Sequence, residues 1–526
     1  MFNSFIVRYV CGAVGIAALA LSLPALASDD LVVETDQGKV RGKMSADRQA
    51  RDFLGIPFAA PPIGPLRWKP PQPAAKWQGV RKATRFGSRC VQQYYPDMVF
   101  RDPGGKEDCL TLNVWTPAGK PKGNLPVMVW IFGGGFIGGG TSEPRQDGEH
   151  LTRKGVLVVS MNYRLDIFGF LSTHELAAED PHHAAGNYGL LDQLACLQWV
   201  QRNIAAFGGD PDNVTIFGES AGSFAVSALM ASPLATGLFA HAIGESGGAF
   251  ASGVLPFPPL ENAEKQGEYR LHSVLSDSSL AALRAMNTDA VLKLAAGKAS
   301  GIFGPDIDGY FLPGSVAAIY AAGKQSHVPL IAGWNQDEAT SGIANAPQKP
   351  TMESLHATAV KDFGPKADDF LKVYHAGSDA EAVRVAEDLA GDSFLAYSIW
   401  LWLEAQVKTG GAPVYRYLFA LGSPGDPRHT ISDGAFHSDE IEYVFGNLDS
   451  RKGAPWRPED YKLSELMQTF WTNFAKTGDP NGAEVPRWPA YDAAGNWQVM
   501  RLSPDPGAAP DQHRDRYLFL QPFWGQ

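Results

Sequence analysis

Short apolar runs alternate along the chain with segments whose apolar residues recur every three or four positions. The runs are rich in Val and Ile and almost free of polar residues, as strands covered on both faces by helices should be. The predicted strands are 127–132, 156–163, 214–217, 328–333 and 414–420. The recurring spacing predicts helices over 189–206, 221–231, 277–297 and 460–476. Strands that alternate with helices indicate an α/β fold with a mostly parallel central sheet flanked by helices.

Composition and charge narrow the class of protein. Of the 526 residues, 44% are hydrophobic and 19% are charged, so the chain can bury a large core. The formal net charge of −11 leaves no basic surface for phosphates, which argues against a nucleic-acid partner. No repeat of fixed period and no flexible linker divides the sequence. We therefore expect a single domain over 28–526, enlarged by insertions near 250–325 and 340–410.

The segment 1–27 differs in character from the rest of the chain. Arg8 is its only charged residue, an apolar run occupies 10–23, and the segment ends in Ala-Leu-Ala at 25–27. This layout is typical of a secretory signal peptide that is cleaved after about Ala27. An uncleaved anchor is the alternative, although the run is shorter than the ~20 residues that span a bilayer. We expect a secreted or periplasmic protein.

The cysteines that remain after removal of that segment fall into two groups. Cys90 and Cys109 flank a polar, loop-like segment, and disulfides persist in an exported protein, so we expect these two to pair. Closing a loop of this size stabilises a fold by roughly 3 kcal/mol in the chain-entropy description. Cys196 lies on the apolar face of a predicted helix, and we expect a buried, unreactive thiol.

A Gly-x-Ser-x-Gly sequence at 218–222 stands between a predicted strand and a predicted helix. In that context the pattern is typical of a nucleophile elbow, in which the serine hydroxyl projects over the end of the sheet. The two glycines keep side chains away from the tight turn. Ser220 is therefore a candidate nucleophile, and an ordinary turn serine is the alternative.

A serine nucleophile needs a base, and the base needs a carboxylate that orients it. Asp337 and Glu338 follow the strand predicted at 328–333, and His437 lies in a Gly-flanked loop after a later predicted strand. Both segments come after Ser220, the acid first and the histidine second, which is the order expected for this kind of elbow. The residues alone leave the choice between the two carboxylates open.

A glycine run at 133–135 directly follows a predicted strand and leaves backbone N–H groups unobstructed. Together with the N–H of Ala221 in the elbow, these groups would form an oxyanion hole, which contributes several kcal/mol to transition-state binding. A phosphate cradle is the alternative, but the run lacks the Gly-Lys-Ser/Thr of a P-loop. A zinc site at His174, His182 and His183 lacks suitable spacing and carboxylate support, so we expect no metal.

Several long stretches resemble the type-B carboxylesterases, the cholinesterase-like branch of the α/β-hydrolases. They are FLGIPFAAPPIGPLRWKPPQP, EDCLTLNVWTP, VMVWIFGGGF, NYRLDIFGF, GNYGLLDQLACLQWVQRNIAAFGGDPDNVTIFGESAG and HSDEIEYVFG. The resemblance covers nearly the whole chain after residue 27. It implies an α/β-hydrolase fold with large insertions, and a serine hydrolase that acts on a small-molecule carboxylic ester and water without a cofactor or metal.

The resemblance also implies roles for individual residues. Ser220 would form the acyl-enzyme, His437 would act as general base and acid, and Glu338 would orient the imidazole. The expected oxyanion donors are the N–H groups of Gly134, Gly135 and Ala221. Glu219 matches a buried glutamate beside the nucleophile, and Ser246 matches a serine that supports the acid. Cys90 and Cys109 match the family's first disulfide.

Two departures from the family pattern narrow the expected activity. Ala339 follows the acid where the family usually has glycine, and residues 91–108 contain no Trp for a quaternary-ammonium site. We therefore expect a general bacterial carboxylesterase rather than a cholinesterase. Amide, carbamate, lactone or polyester substrates and a non-enzymatic adhesion member are the alternatives. Aromatic residues of the insertions would either line an apolar acyl site or belong to the core: Phe250, Phe257 and Phe303.

Overall fold

The computed structural model describes residues 31–119, 124–250, 253, 255–296, 303–339, 343, 346, 348–425 and 434–524, so the expected signal peptide, 1–27, lies outside the described residues. The strands, numbered along the chain, are β1 Val32–Thr35, β2 Gly38–Arg41, β3 Lys43–Met44, β4 Ala50–Pro57, β5 Val80–Lys82, β6 Thr111–Pro117, β7 Leu125–Ile131, β8 Leu157–Met161, β9 Gly209–Glu219, β10 His241–Glu245, β11 Leu330–Asn335, β12 Val414–Phe419, β13 Gln498–Leu502 and β14 Gly507–Pro510. The α-helices are α1 Glu149–Thr152, α2 Asp166–Phe170, α3 His174–Glu179, α4 Tyr188–Asn203, α5 Ala221–Ala231, α6 Leu260–His272, α7 Leu280–Ala285, α8 Thr288–Ala295, α9 Val316–Ala321, α10 Met352–Phe363, α11 Ala367–Val373, α12 Asp379–Gly391, α13 Tyr397–Thr409, α14 Ile441–Phe445, α15 Pro458–Thr477 and α16 Arg514–Trp524.

The described strands form two sheets. A small three-stranded sheet has the order β1-β2-β5, and an eleven-stranded sheet has the order β14-β13-β12-β11-β10-β9-β7-β8-β6-β4-β3. From β8 through β7 and β9 to β13, neighbouring strands are parallel, whereas the pairs at the two ends of this sheet are antiparallel. The prediction of an α/β-hydrolase fold with a mostly parallel central sheet is confirmed.

Burial of the central strands explains their apolar sequences. Every residue of β8, β10 and β11 is buried, and helices α4, α5, α13 and α15 pack on the strands of this region. Strands covered in this way lose the alternation of polar and apolar positions. Because parallel strands share one direction, the loops after β7, β9, β11 and β12 all leave the sheet at the same edge. That edge is where the candidate residues meet.

Some predicted elements differ from the structure. The strand predicted at 214–217 is the end of the longer strand β9. The helix predicted over 277–297 is two helices, α7 and α8, because Asn287 starts a new helix by accepting the backbone N–H of Ala290 at 2.9 Å. By contrast, the helix predicted over 221–231 has the same bounds as α5.

The cysteines are arranged as predicted. Cys90 and Cys109 form a disulfide, and Cys196 is a buried free cysteine. Burial raises the pKa of the Cys196 thiol above its usual range, which fits an unreactive side chain. Within the described ranges, no helix combines the length and apolar character that a membrane span needs. The same residues contain no cluster of three or more His, Cys, Asp or Glu side chains arranged for a metal ion.

Candidate active site

Ser220 occupies a tight turn between the end of β9 and the start of α5. Its backbone has φ 55° and ψ −125°, a strained conformation for a residue with a side chain. The end of β7 passes very close to this turn. A Cβ on Gly218 would lie 2.6 Å, and one on Gly222 1.9 Å, from the carbonyl oxygen of Ile131. The two glycines of the Gly-x-Ser-x-Gly sequence are therefore required by packing against the neighbouring strand.

The structure brings together three of the predicted side chains that are far apart in sequence. Nε2 of His437 lies 2.9 Å from the hydroxyl oxygen of Ser220, and Nδ1 lies 2.6 Å from Oε2 of Glu338. The side chain of Glu338 is 1% exposed, whereas that of His437 is 26% exposed and can be reached by a ligand. The neighbouring Asp337 instead pairs with the guanidinium of Arg384 at 2.6 Å. Of the two candidate carboxylates, Glu338 faces the histidine.

Backbone hydrogen bonds join the two loops that carry Glu338 and His437. The N–H of Asp337 donates at 2.7 Å to the carbonyl two residues before the histidine, and Asp337 forms an isolated parallel bridge with Phe436. The other carboxylate oxygen of Glu338, Oε1, accepts the backbone N–H of Asn335 at 2.8 Å. Both oxygens of the acid are therefore held, and its orientation toward the imidazole is set by the fold.

The charges around His437 favour its protonated form. Burial disfavours a charge on the imidazole, but the carboxylates of Glu338 and Glu219 outweigh this effect and raise the pKa of His437 to about 9. Oε1 of Glu219 lies 3.4 Å from Nε2 of the same ring. Burial raises the pKa of Glu219 to about 7, against the opposing effects of His437 and Arg145. The arrangement stabilises an imidazolium at this position.

The loop after β7 lies over the elbow. A Cβ on Gly133 would stand 2.9 Å from the Cβ of Ser220, so a side chain would not fit between loop and serine. Gly134 and Gly135 have φ of 103° and 64°, which favour glycine. The backbone N–H groups of Gly134, Gly135 and Ala221 donate to no acceptor among the described residues. These three N–H groups are the donors expected for an oxyanion hole.

The hydroxyl of Ser246 donates to Oε1 of Glu440, at 3.4 Å, rather than to the acid. Oε2 of Glu440 accepts the side-chain amide of Asn335 at 2.5 Å, and the backbone N–H of Asn335 holds Glu338. The expected support of the acid by Ser246 is thus indirect, because Asn335 already occupies the free carboxylate oxygen. Sequence reasoning missed Glu440 and Asn335. The signal that could have identified them is their spacing from the triad, because Asn335 stands three residues before the acid and Glu440 stands three residues after His437.

A groove of about 700 Å³ borders the loop that carries His437. It is lined by Ser438, which follows His437, and Nη1 of Arg145 lies 3.5 Å from the hydroxyl oxygen of Ser438. The other charged residues of its wall are Asp97, Glu143, Glu442, Arg451 and Lys452. The wall of this groove therefore carries charged groups of both signs, next to the residue that follows His437.

The aromatic residues of the insertions are engaged in packing. Phe250 packs on Tyr320 with ring centres 5.0 Å apart, and Phe257 packs on Phe136 with ring centres 6.4 Å apart. Phe303 is buried and lines a separate, smaller cavity. Of the two interpretations offered by the sequence, core packing describes Phe250 and Phe257, whereas Phe303 borders a cavity.

Known proteins share this fold and much of this sequence. A model of the family described as "Carboxylesterase family" matches residues 29–518. The chain is 38% identical over 508 residues to fumonisin B1 esterase of Sphingopyxis macrogoltabida, covering 93% of this chain and 90% of that protein. It is 37% identical over 481 residues to para-nitrobenzyl esterase of Bacillus subtilis, covering 88% of this chain and 92% of that protein. Among solved structures, a thermophilic PNB esterase has a TM-score of 0.78 at 34% identity, covering 93% of this chain and 100% of the other.

Proposed function

The chain belongs to the carboxylesterase family, and from that premise we propose that it hydrolyses carboxylic esters through an acyl-enzyme formed on Ser220. One observation carries the proposal, namely the continuous series of hydrogen bonds from Glu338 through His437 to Ser220. Glu338 keeps the proton of the neutral imidazole on Nδ1, so the lone pair of Nε2 faces the serine hydroxyl.

In the first half of the reaction, Nε2 of His437 takes the hydroxyl proton as Oγ of Ser220 attacks the ester carbonyl. The carbonyl π electrons move to its oxygen, and the N–H groups of Gly134, Gly135 and Ala221 donate to that oxyanion. The tetrahedral intermediate then collapses, and the bond to the alcohol oxygen breaks. The alcohol leaves with the proton carried by His437, and the acyl group remains on Ser220.

In the second half, water replaces the alcohol. His437 takes a proton from the water as its oxygen attacks the acyl carbon, and the same N–H groups hold the second oxyanion. Collapse of this intermediate returns the proton to Oγ of Ser220 and releases the carboxylic acid. Glu338 and Glu219 stabilise the imidazolium in both halves, and the pKa of His437, raised to about 9, reflects that stabilisation.

We further propose that 28–526 form one catalytic domain and that 1–27 direct export to the periplasm or the medium. The disulfide between Cys90 and Cys109 supports this location, because disulfides persist in oxidising compartments.

The charged wall of the groove that borders the His437 loop supports esters with polar groups on the part of the substrate that extends toward it. Two relatives act, by their names, on fumonisin B1 and on para-nitrobenzyl esters, so both belong in a substrate panel. A panel that varies the acyl and alcohol parts independently would rank the preference. Apolar esters hydrolysed best across the panel would count against this reading of the groove.

Replacement of Ser220 by Ala tests the mechanism. The loss of a serine nucleophile lowers kcat on the order of 10⁶-fold in comparable triads. Ser223→Ala is a matched control, because Ser223 lies on the same helix and its hydroxyl donates to the carbonyl of Gly247 at 2.6 Å. We expect the control to keep its activity within about tenfold and to be phosphorylated by an organophosphate that reacts with activated serines. Full turnover by purified Ser220→Ala would disprove the assignment.

A further inference from the structure

A second cavity, of about 110 Å³, lies between α2, α6 and the segment 303–305. Much of its wall is apolar and includes the rings of Phe170 and Phe303 and the side chain of Leu255. Among the described residues that line it, Arg270 alone carries a formal charge. An apolar cavity with one cation in its wall is complementary to an anion attached to an apolar body.

The guanidinium of Arg270 is held in place within the wall. Its central carbon lies 4.8 Å from the ring centre of Phe303. Burial lowers the pKa of Arg270 and the charge of Asp166 opposes that effect, but an arginine in a protein stays protonated at neutral pH. The carboxylate of Asp166 also accepts backbone N–H groups, those of Ile167 and Phe303. A guanidinium carries five N–H donors in a fixed fork, so it can bind a carboxylate in addition to its contacts with the protein.

The cavity lies close to the loop that carries the proposed oxyanion donors. Phe136 directly follows Gly135, and its carbonyl accepts the backbone N–H of Asp166 at 2.7 Å. The ring of Phe136 packs against Phe170, which lines the cavity, with ring centres 5.2 Å apart. The contact between these two rings thus connects the wall of the cavity directly to the loop that carries the oxyanion donors.

We propose that this cavity is a binding subsite for the carboxylate of a small organic acid, with Arg270 as the anion-binding residue. Where that acid comes from depends on the proposed function, the hydrolysis of carboxylic esters. Ester hydrolysis releases a free carboxylic acid, and an ester with a second acid group also presents a carboxylate. The shared chemistry is a carboxylate on a short apolar stem, which pairs with Arg270 while the stem contacts the apolar wall.

Binding is tested with benzoate, and with benzamide as its neutral analogue, by calorimetry on the full chain carrying Ser220→Ala. We expect benzoate to bind at least tenfold more tightly than benzamide. Arg270→Gln should remove that preference and Arg270→Lys should keep part of it. Arg202→Gln, at a surface arginine paired with Asp36, is the matched control and should bind like the parent. Equal binding of benzoate and benzamide, or unchanged benzoate binding by a folded Arg270→Gln protein, would overturn the proposal.

A second experiment distinguishes the two sources of the carboxylate. It compares kcat/KM for the 4-nitrophenyl monoester of glutaric acid with that for the neutral 4-nitrophenyl valerate. If the subsite holds a carboxylate of the substrate, Arg270→Gln lowers the ratio of the two values at least tenfold. If it holds a free acid, the ratio stays constant while benzoate still binds in a manner that depends on Arg270. Turnover by Ser220→Ala would refute the proposed function and leave the benzoate result valid.

Discussion

Replacement of Glu338 by Gln keeps the size of the acid and removes one hydrogen-bond acceptor. Oε1 of Glu338 accepts the N–H of Asn335 at 2.8 Å, and Oε2 lies 2.6 Å from Nδ1 of His437. A glutamine has one oxygen and one NH₂ group, so it can satisfy only one of these two donors. If its oxygen stays on Asn335, its NH₂ group faces Nδ1, and the ring proton must move to Nε2. The imidazole then donates to Ser220 and cannot accept its proton.

The opposite orientation of the amide is also unfavourable. It sets the NH₂ group against the N–H of Asn335 where the acid side chain is 1% exposed, and a buried donor without an acceptor costs about 1–3 kcal/mol. The wrong imidazole tautomer lowers kcat about 10⁴-fold in a serine-protease triad, which equals about 5.5 kcal/mol of transition-state stabilisation. We therefore expect Glu338→Gln to lower kcat about 10⁴-fold with a small change in KM.

The assay is the release of 4-nitrophenol from 4-nitrophenyl acetate by purified protein whose thermal unfolding shows that it is folded. Asp337→Asn is the matched control, because it makes the same chemical change one residue away, in a carboxylate that pairs with Arg384 at 2.6 Å. We expect this control to retain kcat within about tenfold. The reasoning fails if Glu338→Gln retains more than a tenth of the wild-type kcat. It also fails if the two variants, both folded, lose activity equally.

Four further predictions concern the active site and the disulfide. Because only neutral His437 acts as a base and its pKa is raised to about 9, kcat/KM should rise with pH above 6.5; a flat profile from pH 5 to 8 would contradict this role. Glu219→Gln removes a carboxylate that raises that pKa, so the rise should move to lower pH, and an unmoved profile would show that Glu219 has no such influence. Gly222→Ala places a Cβ 1.9 Å from a backbone carbonyl of β7, so steady-state assays should find activity lost or the soluble yield collapsed. Replacing Cys90 and Cys109 by Ser should lower the free energy of unfolding by roughly 3 kcal/mol, measured by denaturant titration, whereas an unchanged midpoint would contradict the entropic estimate.

Local sequence was sufficient for those features that depend on near neighbours along the chain. The apolar runs predicted the buried parallel strands, because a strand covered on both faces has no polar positions to alternate. The glycines around Ser220 predicted the elbow, since the turn admits no side chain two residues away on either side. The helix over 277–297 was predicted as one piece because periodicity does not register Asn287, which caps a new helix.

Other features were decided only by the tertiary structure, because they depend on atoms from segments that are far apart in the chain. Hydrogen bonds between the loops after β11 and β12 turn Glu338 toward the histidine, whereas Asp337 forms an ion pair with Arg384. The same packing places Glu440 between Ser246 and the acid. No spacing in the sequence encodes the charge of the groove that borders the loop of His437. Burial and side-chain direction arise only when distant segments pack together. The tertiary structure therefore decided the chemistry of the pocket, whereas the motifs of the sequence already indicated the reaction class.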